Sequence, residues 1–93
     1  MERAKKKAEK ELFEAVVLLK GVNECERFFR DLCSPAELEA LADRLRVAKL
    51  VDKKKTYREI YKKTGVSTAT VTRVARAIQY GVGGLRMLLD RLH

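Results

Sequence analysis

The sequence predicts an all-α fold, and three observations carry that expectation. Leu, Ala, Glu, Lys and Arg dominate the 93 residues, while residues that interrupt helices are scarce: five glycines and one proline, Pro35. Apolar residues recur at helical spacing along the chain, and no stretch shows the apolar–polar alternation of a half-buried strand. The gaps between the apolar stripes carry helix start and stop signals. Together these predict six helices in one domain spanning residues 1–93.

Residues 5–20 place Leu12, Phe13, Val16, Val17 and Leu19 on a broad stripe, so a first helix is expected there, with Gly21 as its stop. Asn23 can cap a second helix, which runs to about Cys33 and carries Phe28, Phe29 and Leu32. The "SPAE" at 34–37 is a helix start. Ser34 caps, Pro35 suits the first helical position, where no amide hydrogen is needed, and Glu37 closes a capping box. The third helix puts Leu38, Leu41, Ala42 and Leu45 on one face. It ends in Lys53, Lys54 and Lys55, cations suited to the negative end of a helix dipole. Thr56 caps a short fourth helix, with Glu59 placed for a second capping box. Gly65 stops that helix, Ser67 caps a fifth, and Gly81, Gly83 and Gly84 break the chain again. Leu85, Leu88, Leu89 and Leu92 then form one stripe of a closing sixth helix.

Composition excludes several functional classes. No apolar run approaches the roughly 18 residues of a membrane span. The charged start "MERAKKKAEKE" has no secretory hydrophobic region, so a cytoplasmic protein with no membrane partner is expected. Cys25 and Cys33 stand eight apart, too far for a disulfide along one straight helix, and read as reduced core residues. His93 is the one histidine, so there is no zinc set, and no metal or cofactor is expected. With no Gly-rich phosphate loop and no paired nucleophile and base, no enzymatic activity is expected either.

Charge points to a partner. The net charge is +8, and it is unevenly placed. Between Arg44 and Arg76 eleven Lys or Arg face only Asp52 and Glu59, a local +9, and the other sixty residues sum to −1. Such concentration fits a polyanion.

The basic third contains "TYREIYKKTGVSTATVTRVARAI", residues 56–78, two short helical stretches joined by a glycine-containing turn. That is the pattern of a helix-turn-helix, here about residues 56–79. At about 100° per residue, Val71, Val74, Ala75 and Ile78 fall on one side of the fifth helix, and Ile60 and Val66 lie where the two helices must pack. Ala69, Thr72, Arg73, Arg76 and Tyr80 fall on the other side. Threonine is a mediocre helix former, yet Thr68, Thr70 and Thr72 crowd the first turns. Small side chains let a recognition helix approach base edges in the major groove, where hydroxyls can bond and methyls can meet thymine. The alternative is a dimeric helical interaction module whose basic face meets an acidic protein partner and holds nucleic acid without site preference. RNA binding is disfavoured because exposed aromatics are too few for a stacking platform.

From about Leu32 to Ile78 the chain also resembles the Trp repressor family, and more closely its YerC/YecD-type relatives. The resemblance rests on "LCSPAELEALADRLRVAKLV" followed by "KKKTYREIYKKTGVSTATVTRVARAI". It implies an intertwined six-helix homodimer that binds palindromic double-stranded DNA and represses transcription. By position Arg58 matches the family's base-contacting arginine, and Thr68, Ala69 and Thr72 match recognition-helix positions facing DNA. Tyr57 and Tyr61 stand at DNA-facing positions where the repressors carry a polar and a basic residue. With Lys62, Thr70, Arg73 and Arg76, these are the candidate DNA-binding residues. Arg44 and Arg73 match the two arginines that sandwich the indole ring in Trp repressors, and Ser34 replaces a pocket threonine. These three are the candidates for an effector pocket, whose ligand the sequence does not identify. Val74 stands where the family has glycine and Ala77 where it has serine, which argues against L-tryptophan as effector.

Overall fold

The computed structural model describes residues 2–92, which form six α-helices and no strand. These are α1 (Glu2–Val16), α2 (Gly21–Leu32), α3 (Pro35–Asp52), α4 (Tyr57–Thr64), α5 (Thr68–Tyr80) and α6 (Gly84–Arg91). His93, named above for metal chemistry, lies outside the described residues. No helix is long and apolar enough to cross a membrane among those residues. The chain divides into two compact units, Met1–Leu38 and Glu39–His93.

In the first unit, the expected end of the first helix is corrected. The helix α1 stops at Val16, and the amides of Leu18 and Leu19 bond the carbonyls of Ala15 and Val16, both at 3.1 Å. Gly21 does not end α1. It opens α2 with φ +82°, and Asn23 lies inside the first turn, not at the cap. The cap position is Lys20, whose N–H donates to Glu24 Oε1 at 3.0 Å. The physical reason is that Val16–Leu19 is continuously apolar, so periodicity cannot mark a stop within it. A left-handed glycine then turns the chain.

Neither α1 nor α2 has a single fully buried residue. Phe28 and Phe29 meet edge to face at 5.3 Å, yet both stay half-buried. Phe13, Val17, Leu18 and Val22 are exposed by 63–81%. Cys25 and Cys33 are free thiols, half-buried where full burial was expected, because the unit has no closed core to enclose them. At the start of α3 the capping box forms as expected. Glu37 N–H donates to Ser34 Oγ at 3.2 Å, and Ser34 N–H donates to Glu37 Oε1 at 2.8 Å. The bond from the Ser34 amide, and then that with its hydroxyl, hold the Glu37 carboxyl below the usual carboxylate range.

The second unit holds the core. Val47, Ala48, Ile60, Val71, Val74 and Leu89 are buried, and Leu50, Val51, Val66, Ile78 and Leu85 pack against them. The inner face expected for α5 is therefore correct, but the one expected for α3 is shifted. Val47 and Ala48 are at 0% exposure, whereas Leu41 and Ala42 are exposed, because the cluster forms around the carboxyl-terminal half of α3. Of the four leucines of the closing stripe only Leu89 is fully buried. Arg86 ties α6 to α3, with guanidinium nitrogens 2.9 Å from Asp52 and 2.8 Å from Asp90.

The end of α3 is unusual. Lys55 N–H bonds Leu50 O at 3.1 Å and Lys54 N–H bonds Val51 O at 3.0 Å, a Schellman closure. It requires left-handed backbone, which Lys54 adopts with φ +64°, the one non-glycine to do so among the described residues. That conformation costs an L-residue on the order of 1–2 kcal/mol.

Candidate nucleic-acid interface

The interface is built from the turn outward. Thr56 Oγ1 accepts the Glu59 N–H at 3.1 Å and starts α4, while the Glu59 carboxylate stays in solvent and makes no return bond. Gly65, with φ +70°, ends α4 and donates its N–H to Tyr61 O at 2.7 Å. Thr64 Oγ1 donates to Ile60 O and accepts from Val66 N–H, which fixes the entry to the turn. Ser67 then caps α5, accepting the Thr70 N–H at 3.3 Å. Ile60 of α4 and Val71 and Val74 of α5 enter the same buried cluster, so the opposite faces of both helices point outward.

On α4 the outward residues are Tyr57, Arg58, Tyr61 and Lys62, all exposed, the two tyrosines by 43% and 59%. On α5 they are Thr68, Ala69, Thr72, Arg73 and Arg76, also all exposed. Thr70 is placed differently. It lies about 200° around the helix from both Thr68 and Thr72. Its side chain is half-buried, and its hydroxyl accepts from Ser67 Oγ at 3.2 Å. Thr68 and Thr72 therefore present hydroxyls outward, whereas Thr70 serves the cap. Arg58, Lys62 and Arg73 make no hydrogen bond or ion pair among the described residues, so their charges are available. The Arg76 guanidinium stacks over the Tyr80 ring at 5.4 Å, which pre-orders it.

Two contributions escaped the sequence reading. Arg46, counted above within the basic third, donates to the Lys63 carbonyl at 3.0 Å and completes the carboxyl end of α4. No local pattern signals it, since the two residues are 17 apart. Leu85 is the other: it packs on the core and lines a cleft beside the arginines.

That cleft, of about 350 Å³, is lined by Arg44, Arg73, Val74 and Ala77 together with Leu41, Leu45 and Leu85. Val74 is 3% exposed and sits in the core, and its side chain forms a wall of the cleft. None of the seven lining side chains is a hydrogen-bond acceptor. Arg44 Nε donates to Ala40 O at 3.3 Å. Ser34 belongs to the first unit, and its hydroxyl is committed to the cap of α3. No group of three or more metal-ligating side chains occurs among the described residues.

Two helices locked around a left-handed glycine, with small and cationic side chains turned outward, define the helix-turn-helix class of DNA-binding regulators. Comparison with known proteins specifies the family. The Trp repressor protein family matches residues 7–93, and the chain belongs to it. YerC of Bacillus subtilis strain 168, itself uncharacterised, is 45% identical over 82 residues, 88% of this chain and 79% of YerC. The crystal structure of a candidate Trp repressor from Staphylococcus aureus has a TM-score of 0.87 at 44% identity, covering 91% of this chain and 85% of that one. A TrpR-like protein from Eubacterium eligens ATCC 27750 reaches a TM-score of 0.90 at 39% identity, covering 99% and 95%. The family is one of DNA-binding regulators, not of enzymes.

Proposed function

We propose that this protein is a cytoplasmic, sequence-specific repressor that binds double-stranded DNA as a homodimer and reads the major groove through α4 and α5. The observation that carries the proposal is the outer face of α5: Thr68, Ala69, Thr72, Arg73 and Arg76 are all exposed on a helix whose inner face is anchored by buried Val71 and Val74. In this reading Thr68, Ala69 and Thr72 approach bases, Arg58 reads a base edge from α4, and Tyr57 and Tyr61 set a preference of this chain's own. Lys62, Arg73 and Arg76 hold phosphates, and Thr70 acts by fixing the cap. The whole chain works as one dimeric domain, because α1 and α2 bury nothing completely and need a second copy to cover them. An effector at Arg44 and Arg73 would enter the apolar cleft, and its lining disfavours L-tryptophan.

Selection of a binding site from random duplexes, followed by isotherms on the selected and random DNA, tests the proposal. Specific binding is expected to be at least about a thousandfold tighter than non-specific. Equal affinity for both would favour the interaction module with an acidic protein partner.

A further inference from the structure

The reading of α5 as a recognition helix leaves one strained residue without a purpose. Lys54 holds φ +64° in the loop between α3 and α4, where a glycine would close the same helix end without strain. It stands between Lys53 and Lys55, so three ammonium groups repel each other at one exposed turn. Lys54 makes no ion pair among the described residues that would compensate this. The dipole of α3 favours cations at this end but not left-handed backbone at a lysine, and the strain points to a benefit outside the folded chain.

Its surroundings indicate which. Lys54 lines a cleft with Ala75 and Gln79 of α5. Ala75, with Ile78 and Val51 in the same cleft, belongs to the inner side of α5, whereas exposed Gln79 lies seven residues on from Thr72, two turns along the outward face. The lysine therefore flanks the surface assigned to DNA, and it precedes the α4 cap Thr56 by two residues. Asp52 and Arg86 share the cleft, but they are bonded to each other at 2.9 Å. The ammonium is left as the cleft's available cation.

We infer that Lys54 is a phosphate clamp, kept in a left-handed conformation to carry a cation to the DNA backbone beside the recognition helix. This rests on the DNA-binding reading above. Lys54→Gly should raise the melting temperature, by about 4–8 °C for each kcal/mol of the strain that is relieved, because the backbone relaxes. The same substitution removes one cation from each subunit of the proposed dimer and should lower the slope of log affinity against log salt by about 1.8 on selected and random duplexes alike, which is about thirtyfold in affinity at 0.15 M salt. Lys54→Arg keeps the charge and should keep the slope. The experiment is a pair of salt titrations on the full chain and both variants, with thermal melts alongside. A Lys54→Gly protein that melts higher but binds with the wild-type slope would overturn the clamp and leave the DNA-binding reading intact. Failure of the wild type to bind any duplex would overturn both.

Discussion

Arg58 and Lys62 lie four apart on α4, both exposed and both without a partner among the described residues, yet their chemistry differs. A guanidinium fork matches the two acceptors of guanine, whereas a lysine is a point charge on a flexible stem. Arg58→Ala should therefore cost roughly 1–3 kcal/mol on a selected operator and almost nothing on random duplex. Lys62→Ala should weaken both together and reduce the salt slope by about one unit per subunit. Four isotherms at two salt concentrations separate the roles, and equal losses for Arg58→Ala would remove it as a reader. The effector cleft allows a similar residue-level argument. In the apolar cleft Arg44 and Arg73 can meet a carboxylate, but an ammonium and an indole N–H find no acceptor among its lining side chains. A second cleft that both arginines line does offer Glu39 and Asp43. Calorimetric titration with millimolar L-tryptophan should give no saturable heat, and operator affinity should be unchanged by it. Saturable heat, or an operator affinity that responds to L-tryptophan, would overturn this expectation.

Helix boundaries were legible wherever a single residue type solves a local chemical problem. Ser34, Thr56 and Ser67 offer an oxygen to orphan amides, and Gly65 takes a left-handed turn, so each could be placed without tertiary information. The α1–α2 corner was not legible, because apolar Val16–Leu19 looks helical throughout and the cap falls on a lysine. Nor was the register of α3, where the partners of Val47 and Ala48 lie at Ile60, Val71 and Leu89, remote in sequence. On the interface, periodicity correctly separated the two faces of α5 but could not show that Thr70 belongs to the cap. Two element-scale outcomes follow from the caps. Ser67→Ala should destabilise the fold by about 1 kcal/mol in urea melts and weaken operator binding, since Thr70 loses its anchor. Glu37→Gln tests the α3 box through pH. A carboxyl held below its usual range contributes stability at neutral pH and loses it as pH falls through that depressed value. The urea midpoint of Glu37→Gln should thus lie below wild type at neutral pH, with the gap closing in acid. A gap independent of pH would dissociate the box from stability.

At the scale of the molecule, the six residues buried among those described all lie from Val47 to Leu89. The amino-terminal unit, by contrast, exposes Phe13, Val17, Leu18 and Val22. Light scattering at micromolar concentration should report a dimer, and the urea midpoint should rise with protein concentration. A folded monomer whose midpoint ignores concentration would refute the pairing.

The confinement of the core to one end of the chain has an evolutionary consequence. On the dimeric DNA-binding reading proposed above, the groups that choose a mate and the groups that choose an address occupy different stretches of sequence, and each can drift without erasing the other. A duplicated copy could change Phe13, Val22 or Leu32, stop pairing with its parent, and still recognise the parental site. Another could alter Tyr57, Tyr61 and Ala69, move to new sites, and still pair with its parent as a subunit that silences it. Descendants of such a chain can thus become independent by either route, and the order of those changes decides whether the intermediate is a competitor or a poison.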